Sequence, residues 1–256
     1  MPFQPVQSDK LALAVVDQIE LLVLRGILRP GERLPSERDL AERMAVSRPS
    51  LREAVGLLQD RGLLTSKPGS GIFVSEDIGA HYPEALTQLF ASHDDALFDF
   101  LAFRRDIEGI AAERAAKYAS ETDLKVVQAV FDKMKAAHDK RDPKEESDLD
   151  AEFHMAIVEA SHNVVLLHMM RGMFELLSKG VFFNRSTIFK QRVNREALLE
   201  QHQAINDALQ NRDGEASRAA LENHLSFVSA CLETQKKADK NEEIARLRYE
   251  HAQKSR

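Results

Sequence analysis

The chain has 256 residues, 43% of them hydrophobic and 30% charged, an ordinary balance for a protein with a real core and a length for one large domain or two modest ones. Its net charge of −6 argues against indiscriminate nucleic-acid binding. No apolar run approaches the ~20 residues that span a bilayer, and the first ten residues lack the basic-then-apolar order of a secretory signal. Cys231 is the single cysteine, which excludes an internal disulfide and a thiolate metal cluster; these features together predict a cytoplasmic protein with no membrane partner.

In chain order, the apolar run of residues 11–24 predicts a helix that ends near Gly26, and Pro30-Gly31 predicts a turn. Ser36 is placed to cap a short second helix with Leu40, Ala41 and Met44 on its apolar side. Ser47 is placed to cap a third, in which Pro49 is tolerated in the first turn and Leu51, Ala54, Val55, Leu57 and Leu58 face inward. Residues 63–66 and 72–74 read as short strands around the turn sequence Lys67-Pro68-Gly69-Ser70-Gly71. Three helices and a hairpin predict a winged helix-turn-helix domain over 1–75.

Residues 76–83 form a polar linker, and everything beyond reads helical, over about 84–92, 94–118, 121–138, 147–162, 164–184, 190–210 and 214–235, with loops at 139–146 and 185–189. The fold class is therefore mainly α, with an N-terminal winged helix-turn-helix and a C-terminal all-helical bundle over 84–235. The polar tail 236–256 predicts a solvated helix or disorder.

Charge is unevenly spread. Residues 25–52 hold seven arginines against four acids, while the acidic excess lies beyond residue 76. The start of the third helix offers Ser47, Arg48, Ser50 and Arg52, with the two arginines on one face. A guanidinium can pair two-pronged with guanine O6 and N7, and serine hydroxyls suit phosphates. Arg38 on the preceding helix can reach base or backbone from above. A solvated basic face would show the same spacing.

The run Leu34-Pro35-Ser36-Glu37-Arg38-Asp39-Leu40-Ala41, followed by Val46-Ser47-Arg48-Pro49-Ser50-Leu51-Arg52-Glu53-Ala54, resembles the DNA-binding domain of the GntR family over roughly residues 10–75. The resemblance implies that Arg38, Arg48 and Arg52 contact a double-stranded operator and that Gly69, at the wing tip beside Lys67, enters the minor groove. Close relatives often carry two basic residues before a glycine run, and this wing departs from that pattern.

Asp150 and His154 lie four apart and project from one side of a helix. His202 and His224 each stand 11 residues from Asp213 in the turn Asn211–Gly214, so an antiparallel hairpin would bring them level. Three imidazoles and a carboxylate form a ligand set for one divalent first-row metal, zinc first, with nickel or manganese as alternatives. Spacing alone leaves open whether two of these histidines are ordinary packed residues. The segments Asp150–Asn163, Glu200–Leu209 and Ala219–Leu225 resemble the FCD sensor domain of the FadR subfamily over about 90–235. That resemblance implies that Asp150, His154, His202 and His224 are the metal ligands and that Arg104 faces the effector cavity. The segment containing Asn163 is similar to regulators of lactate, glycolate and pyruvate metabolism, and Asn163 joins Arg104 as a candidate effector contact.

His81, His93, His138 and His251 sit in linker, loop or tail contexts; His162 suits capping or packing, and His168 suits packing. The resulting expectation is a homodimer on an inverted repeat, responsive to a small carboxylate effector. The alternatives are a DNA-binding protein with a purely structural metal and a metallohydrolase fused to a DNA-binding module. The second lacks a general base: Glu152, two residues from both Asp150 and His154, should point away.

Overall fold

The computed structural model describes residues 9–78, 83–178 and 192–254. Contacts divide the chain into two compact units, one formed by residues up to Tyr82 together with Leu167–Gly172, the other by the remainder.

In the first unit, α1 (Asp9–Leu24) places Ala12, Val15, Val16, Ile19 and Val23 at helical spacing on one buried stripe. That stripe meets Leu51, Ala54, Val55 and Leu58 of α3 (Arg48–Asp60) in a common core with Leu34, Leu64, Ile72 and Val74. The short α2 (Glu37–Arg43) contributes Ala41. Both reading helices start on serine caps: Ser36 Oγ accepts from Asp39 N–H at 3.2 Å, and Ser47 Oγ from Ser50 N–H at 3.3 Å. Strands β1 (Leu64–Lys67) and β2 (Gly71–Val74) pair antiparallel, Leu64 opposite Val74 and Lys67 opposite Gly71. Between them Ser70 N–H donates to the Lys67 carbonyl at 2.9 Å, and Gly69 has φ +72°. That turn needs its third residue in the left-handed region, which Pro68-Gly69 supplies.

Beyond the wing the described elements are all helices: α4 (Glu84–Ser92), α5 (Asp94–Tyr118), α6 (Glu121–Lys140), α7 (Pro143–Ala160), α8 (Val164–Ser178, whose Leu167–Gly172 count with the first unit), α9 (Arg192–Gln210) and α10 (Gly214–Lys254), after a short 3-10 turn at Glu76–Ile78. The main core of the second unit joins an alanine face of α5 (Ala112, Ala115, Ala116) to Val127, Phe131 and Met134 of α6, Phe153 and Ile157 of α7, Ile205 and Leu209 of α9, and Leu221 and Leu225 of α10. Small side chains on α5 let α10 approach closely along much of its length.

One expectation is corrected. The loop predicted at 139–146 shrinks to Arg141-Asp142, because Asp142 caps α7 through Lys144 and Glu145 N–H with Pro143 in the first turn. The tail takes the first of its two expected forms and continues α10 as an exposed helix to Lys254, rich in lysine, glutamate, alanine and arginine and without glycine or proline to stop it. The loop predicted at 185–189 lies outside the described residues.

Candidate functional site

The turn Asn211-Arg212-Asp213 joins α9 to α10. Arg212, at φ +57°, donates its N–H to the Leu209 carbonyl, and Asp213 caps α10 through Ala216 N–H at 2.9 Å. This hairpin sets His202 and His224 with ring centroids 4.4 Å apart. From α7, His154 stands 5.7 Å from the His202 ring and 5.2 Å from the His224 ring. Asp150, one turn earlier, puts Oδ1 3.1 Å from His202 Nε2 and 3.8 Å from His154 Nε2. One donor atom from each of the four residues falls within 4.8 Å of the others, and all four residues are buried. Bonds of about 2.0–2.2 Å to a single cation need only small shifts from that spread.

The surroundings orient the donors. His154 Nδ1 meets the Glu108 carboxylate of α5, so Nδ1 carries the proton and the Nε2 lone pair turns to the cluster. Nε2 has no hydrogen-bond partner among the described residues, an orphaned buried nitrogen that a metal would satisfy. His224 Nδ1 likewise donates to Gln201 Oε1 at 3.0 Å. Phe153 packs edge-on against His202 with ring centroids 5.4 Å apart. Burial alone would push the Glu108 carboxyl up; Arg104 and His154 beside it outweigh burial and hold it down at about 2.

Arg104 is itself buried. Its Nε lies 2.6 Å and its Nη2 3.4 Å from the two Glu108 oxygens, and its guanidinium packs over Phe174 at 4.9 Å. It therefore meets the site as half of an ion pair rather than as a bare cation, with no partner at Nη1 among the described residues. Asn163 does not join this group: its Oδ1 caps α8 by accepting from Leu166 N–H at 3.1 Å. Glu152 turns outward to Lys133 Nζ at 2.9 Å. His162 pairs with Asp123 at 2.8 Å, and His138, predicted in a loop, lies in the last turn of α6.

Sequence reading missed Glu108 and Gln201. The four-residue step from Arg104 to Glu108 was the available signal for the first. For the second there was only its place next to His202 on the helix that leads into the turn. It also missed Arg195, whose Nε lies 2.8 and 3.0 Å from the Glu146 oxygens while Nη2 donates to the His138 carbonyl at 2.6 Å. This buried pair lines a narrow cavity with Met134, His138, Leu199 and His202. Glu146→Ala would strand the Arg195 charge and is expected to cost about 3–5 kcal/mol, read as a lower denaturant midpoint; a joint Glu146→Leu, Arg195→Met exchange should recover most of it.

On the reading unit, Arg48 has no ion pair or hydrogen bond from its side chain among the described residues, and Arg38 makes only a 3.5 Å contact to Asp39. Arg52 Nε donates to Glu37 Oε2 at 2.8 Å. Ser47 Oγ lies 2.9 Å from Ser50 Oγ, and Ser50 is buried, withdrawn from the surface where a phosphate would lie. Lys67 lies over the Phe73 ring at 4.9 Å and 3.5 Å from Glu76, while Gly69 has open space where a side chain would be.

Residues 11–74 match the gntR family of bacterial regulatory proteins, and residues 99–227 match the FCD domain. The chain is also 37% identical over 262 aligned residues, covering 98% of both chains, to a putative L-lactate dehydrogenase operon regulatory protein of Escherichia coli K12. The chain belongs to the GntR family. This GntR regulator is 30% identical to the Glc operon transcriptional activator of E. coli K12 over 85% of its own length and 87% of the relative's. It is 29% identical to the HTH-type transcriptional regulator LutR of Bacillus subtilis over 82% and 96%. Among solved structures, the Streptococcus agalactiae GntR protein superposes with a TM-score of 0.54 at 25% identity, covering 88% of this chain and all of that one. The family is one of transcriptional regulators, not enzymes, so a winged helix-turn-helix and a helical FCD effector domain share this chain. No helix among the described residues is long and apolar enough to cross a membrane.

Proposed function

We propose that this GntR regulator binds an inverted-repeat operator as a homodimer and changes its grip when a small 2-hydroxy or 2-oxo acid, such as lactate, glycolate or pyruvate, enters the helical domain beside one divalent metal. The observation that carries this reading is the convergence of Asp150, His154, His202 and His224 within 4.8 Å, with Glu108 aiming His154 Nε2 at the group. Zinc suits three imidazole nitrogens and a carboxylate, with nickel or manganese next. Such a metal would offer Lewis acidity to oxygen atoms of the acid. The chain's own part is to hold the donors aligned, and to meet the carboxylate at Arg104 Nη1. Arg38, Arg48, Arg52 and the wing at Lys67 and Gly69 are assigned to the operator. The name of one relative, an L-lactate dehydrogenase operon regulator, agrees with an acid of this kind.

The deep burial of all four donors favours a second reading, a purely structural metal. Operator binding measured with L-lactate, glycolate and pyruvate, with and without a chelator, separates the two. At least one acid should shift operator affinity of the metal-loaded protein, and chelation should abolish that shift. A response that survives complete metal removal assigns the metal to structure alone, and indifference to all three acids removes them as effectors.

A further inference from the structure

The ion pair between Glu37 and Arg52 joins the two reading helices at a place where stability gives it little reason to exist. Both side chains are partly exposed, 35% and 68%, and surface pairs of this kind contribute little to folding. Glu37 also sets a negative charge beside the segment meant to approach phosphates, which weakens every non-specific DNA contact. What the pair does accomplish is geometric. Glu37 is the first residue of α2 and Arg52 the fifth of α3, and both helix starts are pinned by their serine caps. The carboxylate accepts from Nε alone, at 2.8 Å, so the outer edge of the guanidinium, carrying both Nη groups, stays available. That edge is a two-pronged fork of the width of guanine O6 and N7. Arg48, with no such tether, keeps its rotamer freedom.

We propose that Glu37 is a positioning residue for sequence readout: it holds the Arg52 guanidinium edge-on for a guanine and, by its charge, suppresses binding to DNA that lacks one. The inference rests on Arg52 reading a base. It assigns to Glu37 a role in discrimination rather than in affinity.

The test uses the full-length protein and a randomised duplex library, from which base preference is read at each position, together with affinity for a duplex lacking the selected site. Glu37→Ala should lower discrimination at the position that depends on Arg52 by about tenfold, within the range a bidentate contact commands, and should raise affinity for the unselected duplex by a few fold. Glu37→Gln keeps an oxygen acceptor without the charge, so it should retain most of the base preference while binding unselected DNA as tightly as Glu37→Ala. A purely electrostatic role would make the two variants alike, and a purely structural one would lower the melting temperature and both affinities together; either result overturns the proposal. Arg52→Ala serves as the control. If Arg52→Ala changes the base profile and Glu37→Ala does not, the positioning role is wrong while the readout stands. If Arg52→Ala leaves the profile unchanged, Arg52 reads no base, and both fall.

Discussion

Arg48→Ala and Arg52→Ala are each expected to abolish specific operator binding while leaving the fold intact. Both side chains stand on the outer face of α3, and the buried side of that helix consists of other residues, Leu51, Ala54, Val55 and Leu58. Removing either guanidinium therefore opens no cavity. Loss of one bidentate guanine contact costs ~1–3 kcal/mol, and a two-fold dimer on an inverted repeat loses it twice. The summed loss of about 2–6 kcal/mol reaches the lower end of the usual margin between specific and non-specific binding, roughly 4–10 kcal/mol. Titration of an operator duplex at fixed salt, beside a melting curve, reads both quantities. Full affinity in either variant at unchanged melting temperature would remove that arginine from the contact surface, and the reading of α3 as the groove-facing helix would have to be redrawn.

Metal loss is expected to have the larger effect on the second unit. The protein should carry about one divalent ion per chain, and His202→Ala or His224→Ala should release it, because three donors spread over α7 and one arm of the α9–α10 hairpin can no longer close around a cation. An ion bound only by the native state stabilises it by mass action, by about 2.7 kcal/mol at a hundred times its dissociation constant. The variants should therefore melt at the temperature of chelator-stripped wild-type protein, and added metal should restore only the wild type. Elemental analysis of the purified protein and a melting series with and without chelator would check this. Variants that keep a full metal complement, or a stripped wild type that melts unchanged, would make the four residues a packed polar cluster.

These two expectations draw on different depths of sequence. The reading helices were legible because their signals are local: Ser36 and Ser47 cap within three residues, Pro68-Gly69 dictates its own turn, and the stripes of α1 and α3 follow from 3.6-residue periodicity. His202 and His224 came close to legible for a similar reason, since a three-residue turn sets the register of the helices that carry them. Asp142-Pro143 carried an equally local signal, and only the expectation of a longer loop hid it.

What lay beyond the sequence was how those helices meet. Nothing in the spacing of α7 states that His154 faces the α9–α10 hairpin. That orientation arises because Phe153 and Ile157 are buried in the core shared with α5, α6, α9 and α10, which leaves the next position, His154, turned to the other histidines. The partners of the site residues were also decided there. Arg104 was picked out by the family resemblance alone, and its engagement with Glu108, with the grip of Glu108 on His154 from 46 residues away, depends on α5 lying beside α7. Glu37 and Arg52, 15 residues apart, meet only through the crossing of α2 and α3. The sequence alone thus determined most of the helices, their caps and the wing, because each of these follows from bonding within a few residues. Tertiary structure decided which buried charge answers which, because a charge taken out of water must find its partner wherever packing happens to bring one.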